Sequence, residues 1–335
     1  MEIKKALTFR ASSIGDCLMG KYLLENIHAQ FPNARLGIVV ASRGAMIRDL
    51  FATYPWLEVI EANRRSPRSL FYLWRNFRNS DLVMTQYAGK LGGRFGLASK
   101  LAARVLAKYR GLIGFTDASA LNRMLYDTLL SHALSDAPAT LEREVLRALG
   151  VTIACEHPTM QCLPIPSATE KFGLVSGRYI VVHLFAGNTS RGLHPDKKRE
   201  LLATLAKKLP DTRLVVSGGA TDREEAQAIV KGLSATVIAG EATLQEMMNL
   251  ISESRGVVSV DTGIAHITAQ LGKPLVVLAT CLGLHWWGEN QYGAAATITL
   301  FTCSNLCKAG HVYKEYPDCM NNIDVEEVVQ KISSL

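Results

Sequence analysis

The sequence predicts an α/β protein built as two doubly wound domains, each a parallel sheet covered by helices. Three observations predict it. Short apolar, β-branched runs alternate with longer helical stretches. That alternation happens twice along 335 residues, more than one ordinary core absorbs. Between the two series lies a stretch punctuated by Pro158, Pro164 and Pro166, with Ser167 and Thr169, which reads as a linker and places the boundary at 160/161.

The first series opens with a strand at 6–9. A polar, glycine-containing turn follows at 10–16, then a helix over about 17–30. Phe31-Pro32-Asn33-Ala34 turns the chain into a strand at 35–40, and helical sequence at 43–53 leads to another at 57–60. Within 63–110, eleven Lys and Arg are interleaved with Trp74, Phe77, Tyr87 and Phe95, around a strand edge at 81–85. Such interleaving fits aromatic stacking on nucleic acid, an amphipathic surface whose apolar members are core, or the basic rim of a cleft, and the strand favours the rim. A helix at 141–149 closes the first domain.

The second series starts with a strand at 179–185, a polar break at 186–192 and a helix through Lys208. A strand at 213–217 ends in Gly218-Gly219, and a helix runs on through Lys231. A strand at 236–238 and a helix at 244–254 precede the most informative stretch. There Val257-Val258-Ser259-Val260 breaks at Asp261-Thr262-Gly263, and Ile264, Ile267 and Leu271 then recur at helical spacing. Gly272 and Pro274 stop that helix before a buried strand at 275–279. The turn gathers unpaired backbone N–H groups and the positive end of a helix, where a phosphate settles; the same pattern also suits a plain βαβ crossover capped by Asp261 or Thr262. In doubly wound halves the ligand lies at the carboxyl ends of the strands, here in a cleft between the domains.

Composition bounds the partners. The chain is 48% apolar and 20% charged, as soluble globular proteins are. Its net charge of +7 points to an anionic partner: nucleic acid, a phospholipid surface, or a phosphorylated or carboxylated substrate. No apolar run is long enough to span a bilayer, and the N-terminus leads into a strand rather than a secretory signal, which predicts a cytoplasmic protein. Seven cysteines fit a reducing compartment. No His, Cys and carboxylate cluster has the spacing of a catalytic metal site, and Cys303, Cys307 and Cys319 are too few for a closed one unless Cys281, His311 or another residue joins them.

Several separated motifs coincide with a known family. They are Ser12-Ser13-Ile14-Gly15-Asp16 after the first strand, Phe31-Pro32-Asn33-Ala34, the loop 186–191, and Gly218-Gly219 with acids shortly after. Asp261-Thr262-Gly263-Ile264-Ala265-His266 follows, and Cys319-Met320-Asn321-Asn322-Ile323 precedes a final helix. With these motifs the chain resembles glycosyltransferase family 9, the bacterial heptosyltransferases of the lipopolysaccharide inner core. The resemblance implies a GT-B architecture: two Rossmann-like domains facing a central cleft, acceptor on 1–160 and nucleotide-sugar on 161–335, the last helix packing back on the first domain. It implies inverting, metal-independent transfer of heptose from ADP-heptose to a Kdo- or heptose-bearing lipid A core, with no cofactor.

On that resemblance Asp16 is the general base, ionised beside the start of a helix and able to take the proton of an acceptor hydroxyl. Gly263 and Thr262, oriented by Asp261, hold the donor diphosphate, whose charge grows as the glycosidic bond breaks. His266, one turn along, reaches phosphate or sugar, or is a core histidine satisfied by a carbonyl. Arg191 stands where the family places a basic residue, with Ser190 and His194 as lesser candidates. Many members carry Lys/Arg-x-Trp-Pro there, whereas this chain reads Arg191-Gly192-Leu193-His194-Pro195. Among Asp222, Glu224 and Glu225, Glu225 is the candidate for the ribose hydroxyls. Arg10, Arg64 and Arg65 suit the carboxylates and phosphates of an anionic acceptor, and Ser13 and Gly15 shape the turn beside it. Positive charge would also hold the protein on the cytoplasmic leaflet of the inner membrane. Two other readings stay open: a transferase of the same architecture with another nucleotide-sugar, and a non-catalytic polyanion-binding protein.

Overall fold

The computed structural model describes residues 2–63, 66–87, 96–117, 119–133, 136–293, 297–301 and 318–334. The chain divides into two units, Met1–Pro158 and Thr159–Leu335.

The first unit runs β1 (Lys5–Phe9), α1 (Ile14–Gln30), β2 (Arg35–Val40), α2 (Gly44–Leu50), β3 (Leu57–Glu61), α3 (Pro67–Phe77), β4 (Leu82–Thr85), α4 (Leu97–Leu106), β5 (Leu112–Phe115), α5 (Asn122–Leu125), β6 (Thr128–Leu130) and α6 (Pro138–Ala148). Its strands form one sheet in the order β3-β2-β1-β4-β5-β6. All pairings are parallel, with Lys5 opposite Arg35 and Ala6 opposite Leu82. β1 and β4 follow one another in space but not in sequence, so the strand order reverses between them. Loops leaving their carboxyl ends diverge and open a crevice there.

Two expectations change here. The first helix begins at Ile14 rather than near residue 17, because the Ser13 hydroxyl caps it by accepting the Asp16 N–H. Asp16 therefore sits in the first helical turn. The strand read as an edge at 81–85 is interior: β4 lies between β1 and β5, with all four residues buried. The sequence reading also placed no helix at α3 or α4.

The second unit runs α7 (Pro166–Lys171), β7 (Tyr179–His183), α8 (Pro195–Lys208), β8 (Arg213–Val216), α9 (Arg223–Ile229), β9 (Ala235–Val237), α10 (Leu244–Glu253), β10 (Gly256–Val260), α11 (Gly263–Gln270), β11 (Leu275–Ala279), α12 (Glu289–Tyr292), β12 (Thr297–Phe301), α13 (Asp318–Asn321) and α14 (Val325–Ser334). Its parallel sheet has the order β12-β11-β10-β7-β8-β9, the same topology as the first. The reversal falls between β7 and β10. β10 and β11 are buried along their whole length, which is why their sequence reads as unbroken apolar runs. Gly272, at φ +67°, takes the left-handed position that ends α11.

The last helix was expected against the first domain. Its stripe of Val325, Val328, Val329 and Ile332 is instead buried in the second unit's own core, beside Val258 and Val276. Met320 joins the same core, and Asn321 accepts the His194 N–H at 2.9 Å. The Cys319-Met320-Asn321 motif thus serves packing in this unit.

Candidate active site

In the first unit the candidate base stands at the strand-order reversal. Asp16 follows β1, and Gln86 leaves the end of β4 beside it. The Ser13 hydroxyl donates to Asp16 Oδ2 at 2.5 Å, and Gln86 Nε2 donates to Asp16 Oδ1 through a short hydrogen bond. Gln86 Oε1 accepts the Ala11 N–H at 2.8 Å, which fixes the amide so that its NH2 faces the carboxylate. Burial pushes the Asp16 carboxyl above the usual aspartate range; the Ser13 hydrogen bond, the Arg10 charge and the Gln86 hydrogen bond oppose it and only reduce the shift. The helix start alone therefore does not hold this carboxyl low; burial outweighs it. The group is a stronger base than a solvated aspartate, and half-buried rather than sealed.

Arg10 does not face an acceptor. Its guanidinium is buried and bidentate to Glu142, at 2.5 and 2.8 Å, with Nε donating to Thr8 Oγ1 at 2.7 Å. Both side chains of the pair are fully buried. A Cβ at Gly20 would lie 3.0 Å from Arg10 Nε, so glycine there leaves room for the arginine. Arg10 therefore acts from behind, as a fixed charge near Asp16. Gly15 is buried in the first turn of α1, and Ser13 is its exposed cap. Arg64 and Arg65 lie outside the described residues, as do Cys303 and Cys307.

In the second unit the residues after β7 and after β10 converge. Thr189–Arg191 form a single 3-10 turn, held by the Asn188 side chain accepting the Ser190 N–H at 3.0 Å. The Ser190 hydroxyl is buried and has no hydrogen-bond partner among the described residues. Arg191 Nη1 stands 3.8 Å from Asp261 Oδ2. Thr262 caps α11 without a side-chain hydrogen bond to the first turn, and the N–H groups of a helix's first turn are the ones an anion takes up.

Asp261 is buried and held from several sides. Trp287 Nε1 donates to its Oδ1 at 3.1 Å, and His266 Nε2 lies 3.7 Å from the same oxygen. A Cβ at Gly283 would come within 2.9 Å of its Oδ2, so the backbone after β11 walls the carboxylate in. His266 stacks face to face on Trp287, with centroids 4.5 Å apart and planes 1° from parallel. Its Nδ1 is 2.7 Å from the Tyr292 hydroxyl. Burial lowers the His266 pKa to about 4, against the opposing pull of Asp261, so the ring is neutral at physiological pH. The expected carbonyl partner of a core histidine is replaced by a tyrosine hydroxyl.

Glu225 accepts from Lys198 Nζ at 2.7 Å, and that ammonium lies over the Phe185 ring at 4.3 Å. The ion pair ties α9 to α8 and leaves Glu225 about a third exposed. Asp222 closes its own turn by accepting the Gly219 N–H at 2.7 Å. Where many family members carry tryptophan, Leu193 is buried in the core and His194 caps α8.

Sequence reasoning missed Gln86, Trp287 and Tyr292. The signal for the last two was available: His285-Trp286-Trp287 follows a buried strand at its carboxyl end, where sites form. Among the described residues no three His, Cys, Asp or Glu side chains form a group able to hold a metal ion.

Comparison with known proteins bears on both units. The family model described as glycosyltransferase family 9 (heptosyltransferase) matches residues 162–280, the segment that holds Ser190, Arg191 and Asp261–His266. Lipopolysaccharide heptosyltransferase 2 of Escherichia coli (strain K12) is 27% identical over 141 residues, 40% of this chain and 40% of that relative's length. A glycosyl transferase family 9 structure from Veillonella parvula DSM 2008 superposes with a TM-score of 0.79 at 16% identity, over 100% of this chain and 97% of that one. The E. coli ADP-heptose lps heptosyltransferase II structure gives 0.74 at 18% identity, over 98% of each chain. The family resemblance is borne out over residues 162–280 by the family model, and the two-sheet α/β fold is that of the heptosyltransferase structures.

Proposed function

We propose, taking the family 9 match over residues 162–280 as premise, that this chain is an inverting glycosyltransferase moving heptose from ADP-heptose to a lipopolysaccharide inner-core acceptor. The E. coli relatives supply the donor and acceptor class by their names; the residues described above supply the chemistry.

The donor diphosphate binds at the reversal between β7 and β10. The first-turn N–H groups of α11 and the Thr262 hydroxyl meet the phosphate oxygens, and the Ser190 hydroxyl, without a partner among the described residues, donates to one of them. Arg191 supplies the fixed positive charge, in place of a metal ion, and stabilises the leaving diphosphate as the bond to the anomeric carbon breaks. Asp261 orients Arg191 and Trp287 rather than touching the phosphates, which its charge would repel. His266, being neutral, contributes shape and a hydrogen bond, not charge. Glu225 remains the carboxylate for the ribose hydroxyls, shared with Lys198.

At the acceptor, Asp16 Oδ takes the proton of the attacking hydroxyl. The new bond forms at the face opposite the departing diphosphate, so the anomeric configuration inverts in one displacement. Burial raises the basicity of Asp16, and Ser13 and Gln86 aim it. That supported, basic carboxylate at the β1–β4 reversal is the observation that carries the reading. Anionic lipid acceptors and the +7 charge support peripheral contact with the cytoplasmic leaflet. Among the described residues no helix is long and apolar enough to cross a membrane.

The test is direct: ADP release on mixing the protein with ADP-heptose and core-truncated lipopolysaccharide, with mass spectrometry of the glycolipid. Release matched by a heptose-sized mass gain is expected; no release with any inner-core acceptor removes the reading. One observation favours a second donor: the buried Leu193 and the capping His194 replace the family's tryptophan. Thermal shift against a panel of nucleotide-sugars separates the two, since a ligand bound by the folded form raises Tm.

A further inference from the structure

We propose that α3 and α4 form one docking surface for an anionic lipid bilayer. This gives a location to the leaflet contact above, and its test uses no catalysis, so either can fail without the other.

Both helices lie on the same side of the first sheet. Leu73 and Phe77 of α3, with Ala103 and Leu106 of α4, share one core with Leu7, Phe9, Val39 and Val83. Their carboxyl ends are tied together: the Ser80 N–H donates to Leu106 C=O at 2.9 Å, and the Lys108 N–H to Ser80 C=O at 3.0 Å. Their carboxyl ends therefore lie side by side on one face of the sheet.

The outer sides of α3 and α4 are apolar where a solvated helix is polar. On α4, Leu97, Leu101 and Val105 recur every fourth residue and are 47%, 49% and 66% exposed. On α3, Leu70, Phe71 and Trp74 are exposed, with Phe71 and Trp74 in ring contact at 6.2 Å. A patch of this kind marks an interaction site.

Charge decides the partner. From Asn63 to Gly111 the sequence carries eleven Lys and Arg against one acid, Asp81. Asp81 is itself consumed by Lys108 and by the N–H groups of Lys4 and Lys5. Among the described residues Asp127 pairs with Arg104, Asp117 with Lys100 and Glu58 with Arg35, and the first two pairs neutralise two of those eleven cations as well. Exposed Arg68, Arg75 and Arg78 flank the apolar side chains, and Arg78 lies 4.7 Å over the Trp74 ring. Aliphatic and aromatic tips that enter the headgroup boundary, ringed by guanidinium groups for lipid phosphates, describe an interfacial surface. Single-stranded nucleic acid fits less well, because Leu70, Leu97, Leu101 and Val105 offer bases nothing to stack on.

The test is sedimentation of the full chain with vesicles of phosphatidylcholine alone or mixed with phosphatidylglycerol. Binding to the mixed vesicles is expected, weakening with salt and lost on phosphatidylcholine alone. The Phe71→Asp/Leu101→Asp and Arg75→Glu/Arg78→Glu variants should each lose about tenfold or more in vesicle affinity. Both should keep the wild-type Tm and ADP affinity; if the first fails to fold, Arg75→Gln/Arg78→Gln carries the same comparison. No binding to the mixed vesicles, undiminished binding by folded variants, or capture of an oligonucleotide with no vesicle binding would overturn the proposal.

Discussion

Gln86 holds Asp16 from the neighbouring strand: its amide donates to Oδ1 of the carboxylate, while its carbonyl is fixed by the Ala11 N–H at 2.8 Å. Removing that donor withdraws a hydrogen bond that favours the ionised aspartate. Gln86→Leu should lower kcat by about tenfold, a loss of about 1.4 kcal/mol, and move the acid limb of the kcat profile to higher pH. A kcat–pH profile superimposable on wild type would show that Gln86 does not position the base.

Asp16 should also cost the fold some stability. Its folded pKa lies above its unfolded value because burial penalises the charge. Between those two values the folded state binds more protons than the unfolded state, so stability falls as pH rises through that window and stays lower above it. Asp16→Asn keeps the shape without the charge. Its Tm at pH 7 should equal or exceed wild type, with the gain vanishing in acid; a lower Tm at pH 7 contradicts the assigned burial.

The Arg10–Glu142 pair predicts the opposite. Glu142→Ala strands a buried guanidinium and should destabilise the protein by about 3–5 kcal/mol, read by denaturant unfolding. A loss under about 1 kcal/mol, the range of exposed pairs, would mean that water reaches Arg10.

These relationships show what a sequence does and does not display. The strands of the second unit were legible because β10 and β11 are buried on both faces and read as β-branched runs. The turn at Asp261-Thr262-Gly263 was legible because strand, turn and helix are local. Gln86 was not, since its meeting with Asp16 depends on β4 pairing with β1 across 70 residues. Arg10 was misplaced for the same reason: Glu142, which buries it, is 132 residues away. α3 and α4 lie in a stretch whose interleaved Lys, Arg and aromatic residues suggest a surface before they suggest a helical period.

His266 gives a spectroscopic prediction. With a pKa of about 4, its imidazole NMR resonances should stay constant between pH 5 and 8. A titration centred near pH 6.5 would mean that the ring is not sealed by Trp287 and Tyr292.

Arg191 should carry donor affinity. Arg191→Ala removes a charge-assisted contact to the diphosphate, and calorimetry with ADP should show roughly a tenfold to hundredfold rise in Kd, about 1.5–3 kcal/mol. Unchanged ADP binding would assign the phosphates to other groups.

The decisive measurement pairs turnover with ADP affinity in Asp16→Ala. The account predicts a loss in kcat of about a hundredfold or more with ADP binding intact, because the carboxylate serves the acceptor and not the donor. Full turnover in this variant, or ADP affinity that disappears along with it, would contradict the role given to Asp16.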